Sequence, residues 1–173
     1  MTNRQLEHHD HSPGGRKFPL SILAHDLDDA VNIGSLFRLC DALGVEQLYL
    51  TGTTPAPPRR RISKTSRSTE KHVAYRHADS PIEVINTLKT DGYTIISLEL
   101  TTDSCALAQM DFRRFEKICL LPGTEKNGVD QMLLDISDYT VHIPMQGHNS
   151  SMNVVTATAI AVYEITRQWQ TDR

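Results

Sequence analysis

The segment Val141–Glu164, VHIPMQGHNSSMNVVTATAIAVYE, carries the strongest structural signal in this chain of 173 residues. It opens within an apolar run, YTVHIPM, that has the composition of a buried strand. A loop of small and polar residues follows, and the residues from Asn153 to Gln170 then predict a helix. Ser151 or Asn153, at the start of this helix, can bind free N–H groups of its first turn through its side chain.

Upstream of this segment, strand-like and helix-like patterns alternate along the chain. The basic residues 59–72 are weakly helical, and TGTTPAPP before them is a loop. The alternation predicts an α/β fold with a mostly parallel sheet and helices on both faces. The predicted strands are PLSILAHDL, QLYL, YTIISLEL and KICLLPG, and the predicted helices are Asn32–Leu43, a helix from Pro81 to near Asp91, and VDQMLLDI.

The length and composition are those of one globular domain, predicted over residues 18–173, with residues 1–17 as a flexible polar tail. A net charge of −3 argues against a surface that is basic throughout, but it permits a local basic patch. Three widely spaced cysteines indicate reduced thiols. The first residues are polar, and no apolar stretch approaches the ~20 residues of a membrane span. We therefore expect a cytoplasmic protein with no membrane partner.

Three predicted strands end in loops that contain glycine, proline or small polar residues. These loops begin with Thr101-Thr102, Pro122–Glu125 and Pro144–Gly147. Parallel sheets bind ligands beyond the carboxyl ends of their strands, so the three loops indicate one ligand site. The glycine-rich motifs of dinucleotide and P-loop enzymes are absent from the sequence, as is a nucleophile elbow. His25-Asp26 is interpreted as a polar pair at a strand end rather than as a catalytic pair.

A histidine cluster in the tail raises one alternative function. His8, His9, Asp10 and His11 could bind a metal ion, but no further Cys/His pair completes a zinc spacing. A solvated tail is the favoured interpretation, and we expect no metal site. A metal hydrolase built on this cluster would lose its activity when residues 1–17 are deleted.

Three segments in this order resemble the motifs of the SpoU/TrmH branch of the SPOUT RNA methyltransferases. They are NIGSLFRLCDALG, LLPGTEKNG and VHIPMQGHNSSMNVVTATAIAVYE, and the resemblance extends from about Leu20 to Gln170. The small size is similar to that of the minimalist TrmL-type members. Thr124 departs from the family pattern, which often has Asn, Ser or Pro at that position.

The resemblance implies a C-terminal deep trefoil knot, which the composition alone does not predict, since knotted chains are rare. It also implies that the loop before the last helix wraps S-adenosylmethionine, with Ser150 and Ser151 small enough for the backbone to close over the ligand. The positions that match family cofactor contacts are Leu100, Gly123, Ile143, Ser151 and Met152.

The implied reaction is methyl transfer from S-adenosylmethionine to a ribose 2′-hydroxyl of RNA. The matching polar active-site positions are Asn32, Arg38, Glu125, Ser151 and Asn153. The family gives Arg38 the central role, but a guanidinium keeps its proton at neutral pH and is a poor base. We expect Arg38 to hold the phosphate and orient the 2′-oxygen, braced by Glu125 and Asn32. The proton acceptor stays open.

RNA binding is assigned to the basic segment, which we define as Arg59, Arg60, Arg61, Lys64, Arg67 and Lys71. A solvated loop is the alternative interpretation of this segment. Transfer RNA is the favoured substrate and ribosomal RNA the alternative; no DNA partner is expected. The enzyme is expected to be a homodimer that binds RNA across both subunits, and helices Asn32–Leu43 and Asn153–Gln170 are the expected contact elements between the subunits. A catalytically silent RNA-binding protein on the same fold is the alternative from another functional class.

Overall fold

The computed structural model of the chain describes residues 3–5, 10 and 14–171, in which strands and helices alternate. His8, His9 and His11 of the predicted tail lie outside the described residues. The strands are β1 Phe18–His25, β2 Val45–Thr51, β3 Ala74–Ala78, β4 Thr94–Leu98, β5 Cys105–Ala106, β6 Ile118–Pro122 and β7 Tyr139–His142. The helices are α1 Ala30–Leu43, α2 Arg60–Ser66, α3 Pro81–Thr90, α4 Gln131–Asp135 and α5 Val154–Thr171. Short 3-10 helices lie at Thr69–Lys71, Leu107–Gln109 and Phe112–Arg114.

The seven strands of the described chain form one sheet in the order β3-β2-β1-β6-β4-β7-β5, and neighbouring strands are parallel. This confirms the predicted α/β fold. The two strands that the sequence did not predict, β3 and β5, lie at the two edges of the sheet. β3 has the sequence AYRHA and is largely exposed, and β5 has only two residues. Neither carries the apolar pattern of a buried strand, so neither was recognisable.

Helices cover both faces of the sheet, as predicted. Alternate residues of β1 point to opposite faces, so Leu20 and Ile22 join one apolar cluster and Leu23 joins another. The first cluster includes the buried sides of α1, α2 and α5, and the second those of α3 and α4. Burial on both faces explains the near-continuous apolar runs of the central strands.

Helix α1 begins at Ala30, two residues before the predicted start. Asp29 caps it by accepting a hydrogen bond from the backbone N–H of Val31 at 2.9 Å. The helix ends at Leu43, and the next residue, Gly44, takes the left-handed conformation with φ 68°. α3 begins at Pro81, as predicted, after a cap by Ser80.

The predicted weakly helical stretch contains α2, which packs tightly on α1. A side-chain carbon added at Gly34 of α1 would lie 2.6 Å from the carbonyl oxygen of Ile62 and 2.7 Å from Cβ of Thr65. Ile62 and Ser66 are buried in this contact. The absence of a side chain at Gly34 therefore lets α2 approach the helix that carries Asn32 and Arg38.

The three cysteines form no disulfide. Burial raises the pKa of the Cys40 and Cys119 thiols to about 12, which keeps both protonated and unreactive. Within the described part of the chain, no helix has the length and apolar content needed to cross a membrane.

Candidate active site

A cavity of about 590 Å³ lies where the loops after β4, β6 and β7 meet the start of α5. These three strands are neighbours in the sheet, in the order β6-β4-β7, so their carboxyl ends lie side by side. The lining residues are Leu98, Glu99, Leu100, Pro122, Gly123, Thr124, Glu125, Gly128, His142, Ile143, Pro144, Met145, Ser150, Ser151, Met152, Val154 and Ala157. The predicted convergence of the three strand-end loops is therefore present in the fold.

The five positions predicted to contact a cofactor all line this one cavity: Leu100, Gly123, Ile143, Ser151 and Met152. They are separated by up to 52 positions in the chain (152 − 100) and come from all three loops. Ser150 lines the cavity as well. The wall combines apolar side chains with glycine and serine positions, where the backbone itself forms the surface.

Two glycines of the loop after β6 lie directly against the Glu99 carboxylate. A side-chain carbon at Gly123 would lie 2.3 Å from Glu99 Oε2 and 3.0 Å from the carbonyl carbon of Gly128. Gly128 has φ 67°, a conformation that favours glycine, and a carbon added there would lie 2.5 Å from the same Glu99 oxygen. Thr124 closes the turn, because its hydroxyl accepts from Asn127 N at 3.1 Å and donates to Gly128 O at 3.2 Å.

The cavity wall also contains two titratable side chains, Glu99 and His142, that were not predicted. The Glu99 carboxylate accepts from the backbone N–H of Leu100 at 2.8 Å through Oε1. His142 Nδ1 lies 2.9 Å from the hydroxyl of Ser104, which also bonds both backbone groups of Thr101. Each stands among apolar residues at the end of a strand, in ISLEL and TVHI, and that placement is the signal that could have identified them.

The start of α5 is fixed by both ends of the Asn153 side-chain amide. Its oxygen accepts from the backbone N–H groups of Val155 at 2.9 Å and Thr156 at 3.3 Å. This confirms the predicted cap at Asn153, although the helix itself begins one residue later, at Val154. Ser151 makes no hydrogen bond with the described residues and lines the cavity instead.

The nitrogen of the same amide joins a cluster of three polar side chains, which we call the amide triangle. Asn153 Nδ2 donates to Asn32 Oδ1 at 3.1 Å and to Glu125 Oε1 at 3.3 Å. Asn32 Nδ2 donates to the same Glu125 oxygen at 2.8 Å. Asn32 is 8% exposed, so its polar groups depend on these partners. The triangle connects α1, the loop after β6 and the start of α5.

Arg38 does not join this cluster. It is exposed on α1, it is absent from the cavity wall, and it forms no hydrogen bond or ion pair with the described residues. The prediction that Asn32 and Glu125 brace Arg38 is therefore wrong within one chain, because both residues satisfy each other and Asn153. Four of the five predicted polar residues gather at the start of α5, and Arg38 faces solvent.

Comparison with known proteins identifies the family of this chain. Residues 19–163 match the family model described as the SpoU rRNA Methylase family. The chain belongs to this family. It is 34% identical over 152 residues to the mouse tRNA (guanosine(18)-2′-O)-methyltransferase TARBP1. This alignment covers 86% of this chain and 9% of TARBP1. It is 29% identical to the Aquifex aeolicus tRNA (guanosine(18)-2′-O)-methyltransferase, over 88% of this chain and 71% of that enzyme.

Solved structures agree with the family assignment. The TrmH/SpoU tRNA modifying enzyme of A. aeolicus superposes with a TM-score of 0.81 at 27% identity, over 91% of this chain and 78% of that chain. The SpoU methyltransferase AviRb of Streptomyces viridochromogenes, solved in complex with AdoMet, superposes with a TM-score of 0.81 at 26% identity. The superposition covers 92% of this chain and 64% of the AviRb chain. The SpoU-family chain therefore shares its overall fold with both proteins.

The basic segment of this SpoU-family chain packs on α1 through two buried residues, and its basic side chains are exposed. All six basic residues are exposed, and none forms an ion pair with a described residue. The buried Ile62 and Ser66 anchor the segment on α1. Glu70, its one acidic residue, accepts a hydrogen bond from the Ser66 hydroxyl, which lowers the pKa of the Glu70 carboxyl. The six cations are thus free to contact an external anion.

His25-Asp26 lies outside the main cavity. His25 Nδ1 is 3.1 Å from the Thr51 hydroxyl, and Nε2 is 3.3 Å from Asp26 Oδ2 and 3.6 Å from Asp130 Oδ2. These three acidic and imidazole groups are close enough to hold a cation, and they form the one such group among residues 3–5, 10 and 14–171. The pair ends β1, and Asp26 also accepts from the backbone N–H of Thr53.

The amide triangle of the SpoU-family chain can be tested with Asn153→Asp. The substitution keeps an oxygen that caps α5, but it replaces the donor nitrogen with a second carboxylate oxygen beside Glu125. We expect the free energy of unfolding to fall by about 1–3 kcal/mol at pH 7, as measured by urea denaturation. Protonation of either carboxylate removes the repulsion between them from the folded state. The loss should therefore shrink as the pH is lowered and one carboxylate is protonated.

The matched control is Asn149→Asp, an identical change at an exposed loop position four residues away. It should leave the unfolding free energy within about 0.5 kcal/mol of the wild type, both at pH 7 and at the lower pH at which Asn153→Asp is compared. Equal stability of the two variants at pH 7 would show that the triangle does not hold the site together.

Proposed function

We propose that this protein transfers a methyl group from S-adenosylmethionine to a ribose 2′-hydroxyl of RNA, with transfer RNA as the substrate. The observation that carries the proposal is the single cavity that gathers all five predicted cofactor positions beside the amide triangle. Family membership and the relatives named as tRNA 2′-O-methyltransferases support it. A catalytically silent RNA-binding protein on the same fold is the alternative, and a measurement of cofactor binding distinguishes the two.

The cavity suits an adenosyl cofactor. Its volume of about 590 Å³ is within the range of small-molecule sites. Leu100, Ile143 and Met152 offer apolar surface for a flat base, while Gly123 and Ser151 allow a ligand to approach the backbone. AviRb, which shares the fold, binds AdoMet. We infer that this chain holds the cofactor with the same three loops.

The chemistry requires alignment more than activation. The cofactor supplies a methyl group that is already activated by its sulfonium. The three loops fix the position of the cofactor, and the amide triangle fixes the loop after β6 against α1. We assign Arg38 to the RNA phosphate, because a guanidinium binds phosphate through two parallel hydrogen bonds. Together these groups align the 2′-oxygen with the methyl group, and such alignment alone lowers the activation barrier to methyl transfer substantially.

Transfer RNA is proposed from the relatives, and ribosomal RNA is the alternative. The chain spans 9% of the length of mouse TARBP1, 71% of the A. aeolicus enzyme and 49% of a Mycobacterium bovis tRNA/rRNA methyltransferase. We therefore do not infer from these relatives which nucleotide this protein modifies. We place the protein in the cytoplasm, where its thiols stay reduced. Its place among minimalist TrmL-type members stays a prediction.

We also propose that the C-terminal part of the chain forms a deep trefoil knot. Leu98 of β4 and Cys105 of β5 both pair with Val141 of β7. The segment 99–104 therefore crosses the carboxyl end of β7, and Ser104 bonds His142 there. α5 continues from β7 and packs on α1 at one face of the sheet. This path supports a C-terminal segment threaded through the 99–104 loop.

A homodimer is proposed because the site of one chain lacks its arginine. Arg38 is exposed on α1 and does not line the cavity of its own chain. The outer surfaces of α1 and α5 also expose Val31, Ile160 and Tyr163, which are 45%, 40% and 60% accessible. These two helices are the predicted contact elements. We infer that Arg38 of each subunit completes the cavity of the other.

Cofactor binding can be tested with Gly123→Val. The added side chain must displace the Glu99 carboxylate or the Gly128 backbone, so S-adenosylhomocysteine should bind at least about tenfold more weakly in calorimetry. Gly147→Val is the control, because a carbon added at Gly147 meets nothing within 4 Å. The control should bind as the wild type does. No binding by the wild-type protein, with no metal added, would contradict the proposed function.

The role of Arg38 can be tested with Arg38→Ala and Arg38→Lys. Both should abolish methyl transfer yet keep cofactor affinity within about threefold, since a point charge does not replace the planar guanidinium fork. Arg76→Ala, at an exposed position of β3, is the control and should stay active. RNA with a 2′-deoxynucleotide at the target should be inert.

Mixed dimers locate the arginine. An Arg38→Ala chain paired with a Gly123→Val chain keeps one cavity intact and one arginine in the opposite subunit. If Arg38 acts across the interface, this dimer regains about half of the wild-type rate, while each parent dimer is inactive. An inactive mixed dimer would place Arg38 and the cavity within one subunit. A fully active monomer would contradict the dimer altogether.

The basic segment is expected to contribute phosphate contacts. Changing Arg59, Arg60 and Arg61 together to Ala should raise the apparent KM for RNA and reduce the steepness with which affinity falls as salt rises. Cofactor binding should be unchanged, because none of the three lines the cavity. An unchanged salt dependence would indicate that the segment is only a solvated surface.

A further inference from the structure

We propose that Glu99 is a ligand-binding residue of the main cavity, and that its carboxylate accepts hydrogen bonds from the ribose hydroxyls of the bound adenosyl cofactor. The inference rests on the proposed function and deepens it, because it assigns the recognition of one part of the cofactor to one side chain. The argument comes from how the carboxylate is held and from what surrounds it.

Glu99 is fixed at the end of the sheet. Its backbone N–H donates to Val141 O at 2.9 Å, which extends the pairing of β4 with β7 by one residue. Its Oε1 accepts from the N–H of Leu100 at 2.8 Å, which holds the carboxylate beside its own backbone. The side chain is half-buried and lines the cavity. The carboxylate is therefore positioned before any ligand arrives.

The loop after β6 is shaped around this carboxylate. Glu99 Oε2 is the nearest atom to a side-chain carbon added at Gly123, at 2.3 Å, and at Gly128, at 2.5 Å. Real side-chain carbons do not approach another atom so closely, so both positions must lack one while the carboxylate stays where it is. Two separate positions in the neighbouring loop thus accommodate the Glu99 oxygen.

The same oxygen lacks a partner. Glu99 Oε2 accepts no hydrogen bond from a described residue, and Glu99 forms no ion pair with one. This oxygen is accessible rather than fully buried, so a donor on a bound ligand can reach it. The cavity that it faces is the one proposed for the cofactor. Its placement at the ligand surface is consistent with an oxygen reserved for ligand binding.

The chemistry of the ligand decides which donor fits. A ribose presents two adjacent hydroxyls, and acidic side chains recur as partners of ribose hydroxyls in nucleotide-binding α/β folds. Leu98 and Leu100 flank Glu99 on both sides in sequence and line the same cavity, which places apolar surface beside the carboxylate. A nucleoside, with a flat base next to its diol, matches this combination. The ammonium group and the exocyclic amine of the cofactor are the competing donors.

The test is a thermodynamic cycle that combines a change in one side chain with a change in one group of the ligand. Calorimetry measures the ligand affinities, so the test does not depend on enzymatic activity. S-adenosylhomocysteine and its 2′,3′-dideoxyribose analogue are titrated into the wild type and into Glu99→Gln. The wild type should bind the analogue at least about tenfold more weakly, since hydrogen bonds to a charged group are lost. Glu99→Gln should bind S-adenosylhomocysteine at least about tenfold more weakly than the wild type, and the two ligands should then differ by less than about threefold.

Glu116→Gln is the matched control. Glu116 is exposed, lies before β6 and does not line the cavity, so its neutralisation should change neither titration. An equal penalty for the dideoxy analogue in the wild type and in Glu99→Gln would overturn the inference and assign Glu99 to another part of the ligand or to the fold. Wild-type affinity of Glu99→Gln for S-adenosylhomocysteine would overturn it as well.

One arm does not depend on the variant folding. If the wild type binds the dideoxy analogue as tightly as S-adenosylhomocysteine, no residue recognises the hydroxyls and the inference is wrong. Wild-type protein that binds neither ligand would overturn the proposed function too. Equal affinity of the wild type and Glu99→Gln for S-adenosylhomocysteine would overturn this inference and leave the proposed function intact.

Discussion

The side-chain amide of Asn153 is the interaction on which the rest of the site depends. Its oxygen caps α5, and its nitrogen binds Asn32 and Glu125, so one group fixes the start of a helix and its position against two other elements. This explains why an apolar helix begins after two serines and a methionine. Ser151 and Met152 line the cavity, while Asn153 belongs to the amide triangle. An ordinary cap residue such as serine could supply the oxygen but not the donating nitrogen.

A second constraint acts where the loops after β4 and β6 meet. The loops after β4 and β6 are neighbours because their strands pair, and the Glu99 carboxylate occupies the space that side chains at Gly123 and Gly128 would need. The cavity is thus bounded by an amide cluster at α5 and a carboxylate between two loops. Both use polar groups held by the backbone, so the cavity has a defined shape without a ligand. Arg38 belongs to neither wall, and this is why the proposed active site requires a second subunit.

Much of the fold was predictable because burial leaves a clear pattern. The central strands β1, β4 and β6 are apolar on both faces, and α3 has a proline at its first turn. The edge strands β3 and β5 have no buried pattern and were missed. The cavity positions, such as Gly123 and Ile143, were recognised from the family resemblance rather than from the pattern of the residues. The pairing of Asn32 with Glu125 spans 93 positions, and no local rule indicates it. The predicted bracing of Arg38 is absent within one chain, because Asn32 and Glu125 bond each other and Asn153 instead.

The central claim is that this cavity serves methylation of a ribose 2′-hydroxyl in RNA. The most direct measurement is mass-spectrometric mapping of 2′-O-methylated nucleotides in transfer and ribosomal RNA from cells with and without the gene. The account predicts that a 2′-O-methyl group disappears from a defined transfer RNA position and returns when the wild-type gene, but not the Arg38→Ala gene, is restored. Identical 2′-O-methyl maps in the two strains, for both classes of RNA, would contradict it.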